Sequence, residues 1–294
     1  MSGPVHPGTL LRQLLAQPEI LVLPGVHDAL SARLAARTGF DAVASGGNAA
    51  TGTLLGAPDM GQLGMRDFAD HYARIAAAAG IPVLADADTG FGGVHNVAQT
   101  VRAFERAGVA GLFLEDQVTP KRCGYLAGKA VIPVAEQLAK LRAALDARRD
   151  PALVLCARTD AVAVEGVEAA IDRAGRYQRE GVDMVFVQGA DTPELLARVC
   201  QAIPGFHLAN VSQAGGGTTL TVALAQDAGA SAVMFPIAAL LAATAAMKRV
   251  FQALHRDHSL GTVAGTLMPM MDYNELTGLP GVQADEDRWS RSRD

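Results

Sequence analysis

The sequence predicts an α/β protein, a single (β/α)8 barrel with additional C-terminal helices. Three observations carry this expectation. Short β-branched or Leu-rich runs alternate eight times with amphipathic stretches, the pattern of parallel strands joined by crossover helices. Glycines recur where the helical patterns stop, at Gly39, Gly80, Gly108 and Gly181, positions suited to a left-handed residue that ends a helix. Nearly every strand pattern ends in a polar residue, and the C-terminal strand ends of such a barrel are where its active site lies.

In chain order, strands are expected at 21–26, 42–47, 82–88, 110–116, 153–159, 184–189, 207–211 and 232–236. Between them, helical spacing of apolar residues marks 28–38 (Leu30, Leu34, Ala35), 96–107 (Val97, Val101, Phe104) and 133–148 (Leu138, Leu141, Leu145). Helices at 167–180 and 193–203 follow, and a long one runs from Ala238 to about His255 before a more polar end. The rival, a doubly wound sheet, lacks its glycine-rich fingerprint, since Gly90-Phe91-Gly92-Gly93 has the wrong spacing. The 294 residues are therefore expected as one barrel domain, with about 238–294 as a helical extension.

Composition narrows the function. Half the residues are hydrophobic and 19% are charged, so a large core can form. With 25 Lys and Arg against 30 Asp and Glu, the net charge of −5 lacks the basic balance that nucleic acid needs. The beginning is too polar for a signal peptide, and the apolar stretch at 237–247 is shorter than the roughly 20 residues that span a bilayer. Cys123, Cys156 and Cys200 form no CxxC pair or disulfide framework. A reducing, cytoplasmic setting is expected, with no membrane and no nucleic-acid partner.

The strand ends carry the chemistry. Strand two ends in Ser45-Gly46-Gly47, strand three in Asp86 and Asp88, and strand four in Glu115 and Asp116. Strand five ends in Arg158-Thr159-Asp160, strand six in Gln188 and strand seven in Asn210. Period two places Leu84 with Asp86, Phe113 with Glu115, Cys156 with Arg158, and Leu208 with Asn210, apolar below and polar above. Carboxylates converging in one mouth repel unless protonated or bridged by a cation. Hard oxygen donors with no inward histidine favour Mg²⁺ or Mn²⁺ over Zn²⁺. A 2-oxo or 2-hydroxy carboxylate could chelate such an ion, with Arg158 as its clamp and the N–H groups of residues 45–47 as an anion nest. Equally open are an Arg158–Asp86 core ion pair and a simple tight turn at Gly46-Gly47. His27, His71, His95, His255 and His258 are read as structural or surface residues.

Four segments together are distinctive: Asp86-Ala87-Asp88-Thr89-Gly90-Phe91-Gly92, Leu114-Glu115-Asp116-Gln117, Lys121-Arg122-Cys123-Gly124 and Ala157-Arg158-Thr159-Asp160-Ala161. They resemble the isocitrate lyase/phosphoenolpyruvate mutase superfamily, in its methylisocitrate lyase and 2,3-dimethylmalate lyase branch. The likeness extends from Pro24 to about Pro236. It implies a barrel whose last helix swaps onto a neighbouring subunit in a homo-oligomer, a tetramer or dimer. It also implies a Mg²⁺ (or Mn²⁺) site at Asp86, Asp88 and Glu115, with Asp59 contributing through water. Ser45, Gly46, Gly47 and Arg158 would hold the small carboxylate substrate, with Gln188, Asn210 and Tyr125 lining the mouth. Cys123 and Gly124 would ride on a mobile loop, 119–131, that closes over the site, and Cys123 would protonate the carbanion left by carbon–carbon cleavage.

Four positions depart from the methylisocitrate pattern: Val43 for tyrosine, Tyr125 for the histidine after the Cys-Gly pair, Gln188 for glutamate and Gln213 for glutamate. Each swap is expected to remove a charge or proton-handling group from the mouth. The expected activity is metal-dependent cleavage of a small 2-hydroxy or 2-oxo dicarboxylate to a 2-oxo acid such as pyruvate. The alternatives are an oxaloacetate decarboxylase or 2-oxo acid hydrolase on the same scaffold, and a metabolite-binding protein without turnover. A phosphonate mutase is disfavoured because the loop lacks that branch's Asn-Ser pair.

Overall fold

The computed structural model describes residues 5–212 and 219–290. Eight parallel strands form the barrel: β1 (Leu21–Pro24), β2 (Val43–Ser45), β3 (Val83–Asp86), β4 (Gly111–Glu115), β5 (Val154–Thr159), β6 (Met184–Val187), β7 (Phe206–Asn210) and β8 (Ala232–Phe235). They pair in the order β1-β8-β7-β6-β5-β4-β3-β2. The seam between β1 and β2 is held by a bridge between Gly25 and Ala44, where Val26 N donates to Ala44 O at 2.8 Å.

Period-two alternation separates two cores. Inward, each strand gives one apolar layer residue: Leu23, Ala44, Leu84, Phe113, Cys156, Phe186, Leu208 and Met234. Phe113 and Phe186 meet edge to face at 6.0 Å, a favoured aromatic geometry. Helix α1 (Pro7–Leu15) adds Leu11 and Leu15 to this core at the N-terminal ends of the strands. Gly111 allows that approach, because a Cβ there would lie 2.8 Å from Val154 and 3.3 Å from Leu11. Outward, Val83, Leu112, Leu155 and Val185 pack under the helix layer.

The crossover helices follow their capping chemistry. Helix α2 (Ala29–Thr38) opens with a reciprocal cap, Asp28 Oδ1 accepting from Ser31 N at 2.7 Å and Ser31 Oγ from Asp28 N at 3.0 Å, and Gly39 ends it at φ 100°. Helices α3 (Gly47–Leu55) and α4 (Met65–Ala79) both lie between β2 and β3; α4 stops at the expected helix-end glycine, Gly80, whereas nothing in the apolar spacing predicts α3. The Gly-Asn-Ala-Ala-Thr-Gly-Thr stretch of α3 has weak helix propensity, and packing decides it: Ala49, Ala50 and Thr51 are buried. Helices α5 (Val94–Arg106), α6 (Val134–Ala147), α7 (Val162–Glu165), α8 (Val167–Arg179), α9 (Pro193–Ala202) and α10 (Val222–Asp227) complete the ring. The expected strand 42–47 ends early, because Gly46 already caps α3.

The chain groups into two compact units, Met1–Ala239 and Leu240–Asp294. Helix α11 (Ala238–Asp257) runs into the second unit, which also holds α12 (Met270–Thr277) and α13 (Leu279–Ser290). Phe251, Met270, Met271 and Trp289 are each more than 60% exposed there, at 65%, 70%, 82% and 73%. Among the described residues no helix is long and apolar enough to cross a membrane.

A buried polar knot fixes the end of β5. Asp116 Oδ2 accepts from Thr159 Oγ1 at 2.7 Å and from Tyr177 OH at 2.9 Å, while its Oδ1 accepts from Asp160 N at 3.0 Å. Arg173 braces the group from α8 through Ile132 O at 2.9 Å and Tyr177 OH at 3.2 Å. Burial pushes the Asp116 carboxyl above its ordinary range. Removing one donor leaves part of that carboxylate unsatisfied, so Tyr177→Phe is expected to cost about 1–3 kcal/mol in equilibrium urea unfolding. An unchanged unfolding midpoint would mean that the knot has no structural weight.

Candidate active site

The polar strand ends meet at one cavity, walled in part by Gly46, Asp86, Cys123, Arg158, Gln188 and Asn210. On its acidic side, Asp86 ends β3. Its Oδ1 accepts from Asp88 N at 2.9 Å and its Oδ2 from Gly47 N at 2.8 Å. Tyr72 of α4 donates to Asp86 O at 2.9 Å and holds the strand end from behind. The chain then turns through Asp88 at φ 45° and Gly90 at φ 81°. A side chain at Gly90 would strike Val97 at 2.4 Å, so the Asp-Thr-Gly turn needs glycine there.

Lys121 reaches down into this acidic group. Its Nζ lies 2.6 Å from Asp59 Oδ2 and 2.8 Å from Asp88 Oδ1, with all three side chains buried. Burial opposes the ammonium charge, but Asp88, Glu115, Asp86 and Asp59 together outweigh it and hold the Lys121 pKa above its usual value. Burial pushes Asp88 up to about 7 despite that neighbour. Gly47 passes so close that a Cβ would stand 2.8 Å from Lys121 Nζ and 2.9 Å from Asp88 Oδ1. The glycine therefore lets backbone touch the carboxylate group directly.

Glu115 and Arg158 form the floor. Arg158 Nη1 is 3.2 Å from Glu115 Oε2, and its Nε and Nη2 form a fork to Asp160 at 2.8 and 3.1 Å. The guanidinium also lies 5.3 Å from the Phe186 ring centre. Arg158 thus pairs with Glu115 and Asp160, and Asp86 is held instead by backbone N–H groups. Burial raises the Glu115 carboxyl pKa well above its ordinary range.

Residues 119–131 cover the cavity as a lid. Its base is braced by Gln117, whose Nε2 donates to Arg122 O at 2.9 Å while its Oε1 accepts from Arg122 N at 3.1 Å. Cys123 hangs over the cavity: its N donates to Asp59 O at 3.3 Å and its Sγ accepts from Asn48 Nδ2 at 3.4 Å. Gly124 lies against Arg158 and Gln188, where a Cβ would come within 2.7 and 3.0 Å. Tyr125 OH accepts from Asn210 Nδ2 at 2.8 Å, and the same amide reaches Gln188 Oε1 at 3.3 Å.

Most of the residues singled out in the sequence therefore assemble, with some differences. Ser45 turns its hydroxyl to Val26 O at 3.1 Å, beneath the cavity. The Gly47 N–H, expected to face an anion, is engaged by Asp86. Val43 packs with the outward core; its neighbours Ala42 and Ala44 face inward, so a valine at 43 removes nothing from the cavity wall. Asp116 likewise serves the knot behind β5. Gln213 lies outside the described residues. Asn48 and Lys121 are site residues that the strand-end reading did not single out; Asp160, named there at the end of strand five, is the fork partner of Arg158.

The acidic residues suit a hard divalent cation by their chemistry. Glu115 Oε1 and Asp59 Oδ1 are buried without a partner, while the other oxygen of each faces Arg158 or Lys121; an unsatisfied buried carboxylate oxygen is costly unless a cation meets it. Among the described residues no three His, Cys, Asp or Glu side chains stand ready-made around an ion. Lys121 supplies the positive charge at the place where they gather.

Residues 11–255 match the phosphoenolpyruvate phosphomutase family. The chain belongs to that family. The 2,3-dimethylmalate lyase of Eubacterium barkeri is 38% identical over 283 residues, covering 96% of this chain and 98% of the relative. The 2-methylisocitrate lyase of Shewanella oneidensis is 37% identical, covering 92% and 93%. Among solved structures, oxaloacetate acetylhydrolase in complex with the inhibitor 3,3-difluorooxalacetate superposes with a TM-score of 0.93 at 34% identity over the whole of both chains. Phosphonopyruvate hydrolase in complex with oxalate and Mg²⁺ superposes with a TM-score of 0.86 at 27% identity, covering 98% of this chain and 100% of that one.

Proposed function

We propose that this carbon–carbon lyase cleaves a small 2-hydroxy dicarboxylate and releases a 2-oxo acid such as pyruvate. The observation that carries the reading is the placement of Cys123 on the lid over a cavity whose floor holds Arg158 and whose side holds the carboxylate group. Asp86, Asp88 and Glu115 would hold Mg²⁺ or Mn²⁺, with Asp59 acting through water. The bound ion would stabilise negative charge on the C2 oxygen.

Each residue then has a task. Arg158 holds one substrate carboxylate and fixes its orientation. Gly46 and Gly47, at the start of α3, bring backbone close to the reacting end. Before the lid closes, the 2-hydroxyl would pass its proton to solvent water; as the C2–C3 bond then breaks, C2 becomes a carbonyl and the bond's electron pair passes to C3. Cys123 delivers its thiol proton to C3 and is left as thiolate. The lid excludes water, so the carbanion meets only that donor. Gln188, Asn210 and Tyr125 line the wall that meets the rest of the substrate.

One observation favours a second reading, an oxaloacetate-cleaving decarboxylase or hydrolase. The Gln188–Asn210–Tyr125 wall offers amides and a phenol, with no histidine or carboxylate to take a hydroxyl proton. Decarboxylation of a 2-oxo substrate needs no such base; a hydrolase would need one only for its attacking water. The exposed apolar residues of the second unit support a homo-oligomer, with the C-terminal helices as its contact and helix exchange as the form that contact takes.

The deciding experiment incubates the protein with Mg²⁺ and 2-methylisocitrate, 2,3-dimethylmalate, citramalate or oxaloacetate. Release of pyruvate, glyoxylate or oxalate is followed. A 2-hydroxy dicarboxylate is expected to be cleaved, with activity lost in EDTA and restored by Mg²⁺ or Mn²⁺. Release from oxaloacetate alone establishes the second reading. No release from any of the four favours a metabolite-binding protein.

A further inference from the structure

We propose that Lys129 couples the lid to the substrate-holding arginine, so that a carboxylate at Arg158 draws the lid shut through Asp160. The inference rests on reading Arg158 as the carboxylate clamp, and its observations lie on the far side of the cavity from the acidic group.

Of residues 126–130, only Lys129 is not exposed; its side chain is 5% exposed and turns inward beneath the lid. Its Nζ donates to Gly124 O at 2.6 Å and to Asp160 Oδ1 at 2.9 Å. The first contact pins the lid backbone one residue beyond Cys123. The second ties the lid to a carboxylate that is fully buried. Asp160 is the fork partner of Arg158, and its Oδ1 receives both Lys129 Nζ at 2.9 Å and Arg158 Nη2 at 3.1 Å. The Asp160 backbone is fixed, because its N–H is held by Asp116. One anchored carboxylate is thus shared between a cation on the lid and a cation on the floor.

Sharing has an energetic consequence. Without Lys129 in place, the negative charge of Asp160 falls wholly on Arg158. That charge disfavours an incoming carboxylate. Docking of Lys129 cancels that charge and takes up part of Asp160, leaving more of the Arg158 guanidinium for the substrate. By linkage, a carboxylate on Arg158 favours the docked lysine by the same factor that the docked lysine favours the carboxylate. Gly124 completes the arrangement: only a residue without Cβ lets the pinned backbone lie against Arg158 and Gln188. Lys129 is therefore a positioning residue, acting on substrate through Asp160 and Arg158 and on Cys123 through Gly124.

The test uses oxalate with Mg²⁺ as the probe and reads the lid without turnover. Amide hydrogen exchange across 119–131 is followed with and without oxalate in the wild type, Lys129→Met and Lys129→Arg, alongside oxalate affinity by calorimetry. Oxalate is expected to slow lid exchange in the wild type. In Lys129→Met that protection should be largely lost and the oxalate Kd should rise about tenfold, within the usual range of coupling between sites. Lys129→Arg, which keeps the charge, should recover part of both. On whichever substrate is turned over, Lys129→Met should raise KM more than it lowers kcat. Wild-type protection and affinity in a folded Lys129→Met protein would overturn the coupling. A wild-type protein that binds oxalate without lid protection would also overturn it. A wild type that fails to bind oxalate would instead remove Arg158 as the clamp, and the inference with it; absence of turnover alone leaves the exchange result decisive.

Discussion

Cys123→Ser is expected to lower kcat for a 2-hydroxy dicarboxylate by about 10²–10⁴-fold, with KM changed little. That range is what a positioned proton donor contributes. A cysteine thiol has an ordinary pKa of about 8.5, whereas a serine hydroxyl gives up its proton far less readily. The two side chains differ by one atom, so the lid contacts survive the exchange. The backbone hydrogen bond from Cys123 N to Asp59 O does not depend on the side chain, and Arg158 lies on the opposite wall. Substrate binding should therefore persist while protonation fails. Asn48 sharpens the expectation. Its amide donates to Sγ at 3.4 Å, a contact that a serine oxygen can also accept, so the side chain stays aimed at the cavity. Running the reaction in D₂O gives an independent reading, since the carbon that receives the proton should carry one deuterium in the wild type. If Cys123→Ser keeps its full kcat and its deuterium labelling, the proton comes from elsewhere and the lid cysteine has another role.

The strand-end residues were legible because two rules act on them together. Period two fixes which side chains face the barrel interior, and the fold places chemistry at the C-terminal ends. Leu84 with Asp86, Phe113 with Glu115 and Cys156 with Arg158 follow from that alone. The same rule, applied one residue further, also predicts Val43 outward; it was the family resemblance that suggested a place for it in the mouth. Lys121 was visible in the sequence only as a cation near Cys123. Its pairing with Asp59 and Asp88 crosses 62 residues in one case and 33 in the other, and no local pattern encodes which carboxylates a lid will meet. Asp116 shows the reverse case. It stands beside Glu115 and shares its chemistry, yet period two turns it outward into the Thr159–Tyr177–Arg173 knot. Helix α3 was hidden for another reason: its glycines and threonines disfavour helix, and burial against the barrel overrides that preference.

Arg158→Met is expected to have the other large effect, on both binding and stability. The guanidinium carries two loads. It is the only cation within ion-pair distance of Glu115 among the described residues, and it forms the fork to Asp160. Methionine fills much of the same volume and keeps the contact with Phe186, so packing alone predicts a small loss. Electrostatics predicts a large one. Removing one partner of a buried pair leaves a carboxylate without its cation, which typically costs about 3–5 kcal/mol. Part of that cost is escaped if Glu115 takes up a proton, a response that burial already favours; Asp160 keeps Lys129. Substrate affinity should fall as well, with KM rising about 10²-fold or more as a charge-assisted fork to a carboxylate is lost. Arg158→Lys separates the two loads. It restores a charge beside Glu115 and Asp160, so thermal stability should return most of the way. It cannot reproduce the planar fork, and an ammonium is not equivalent to a guanidinium at a bidentate site, so KM should stay high. Recovery of stability without recovery of KM is the signature of an arginine that both neutralises the floor and grips the substrate. Should the Arg158→Lys variant restore both, charge alone suffices and the bidentate clamp is wrong. Should neither variant alter KM, the arginine is a core ion pair, and the substrate carboxylate is held elsewhere in the cavity.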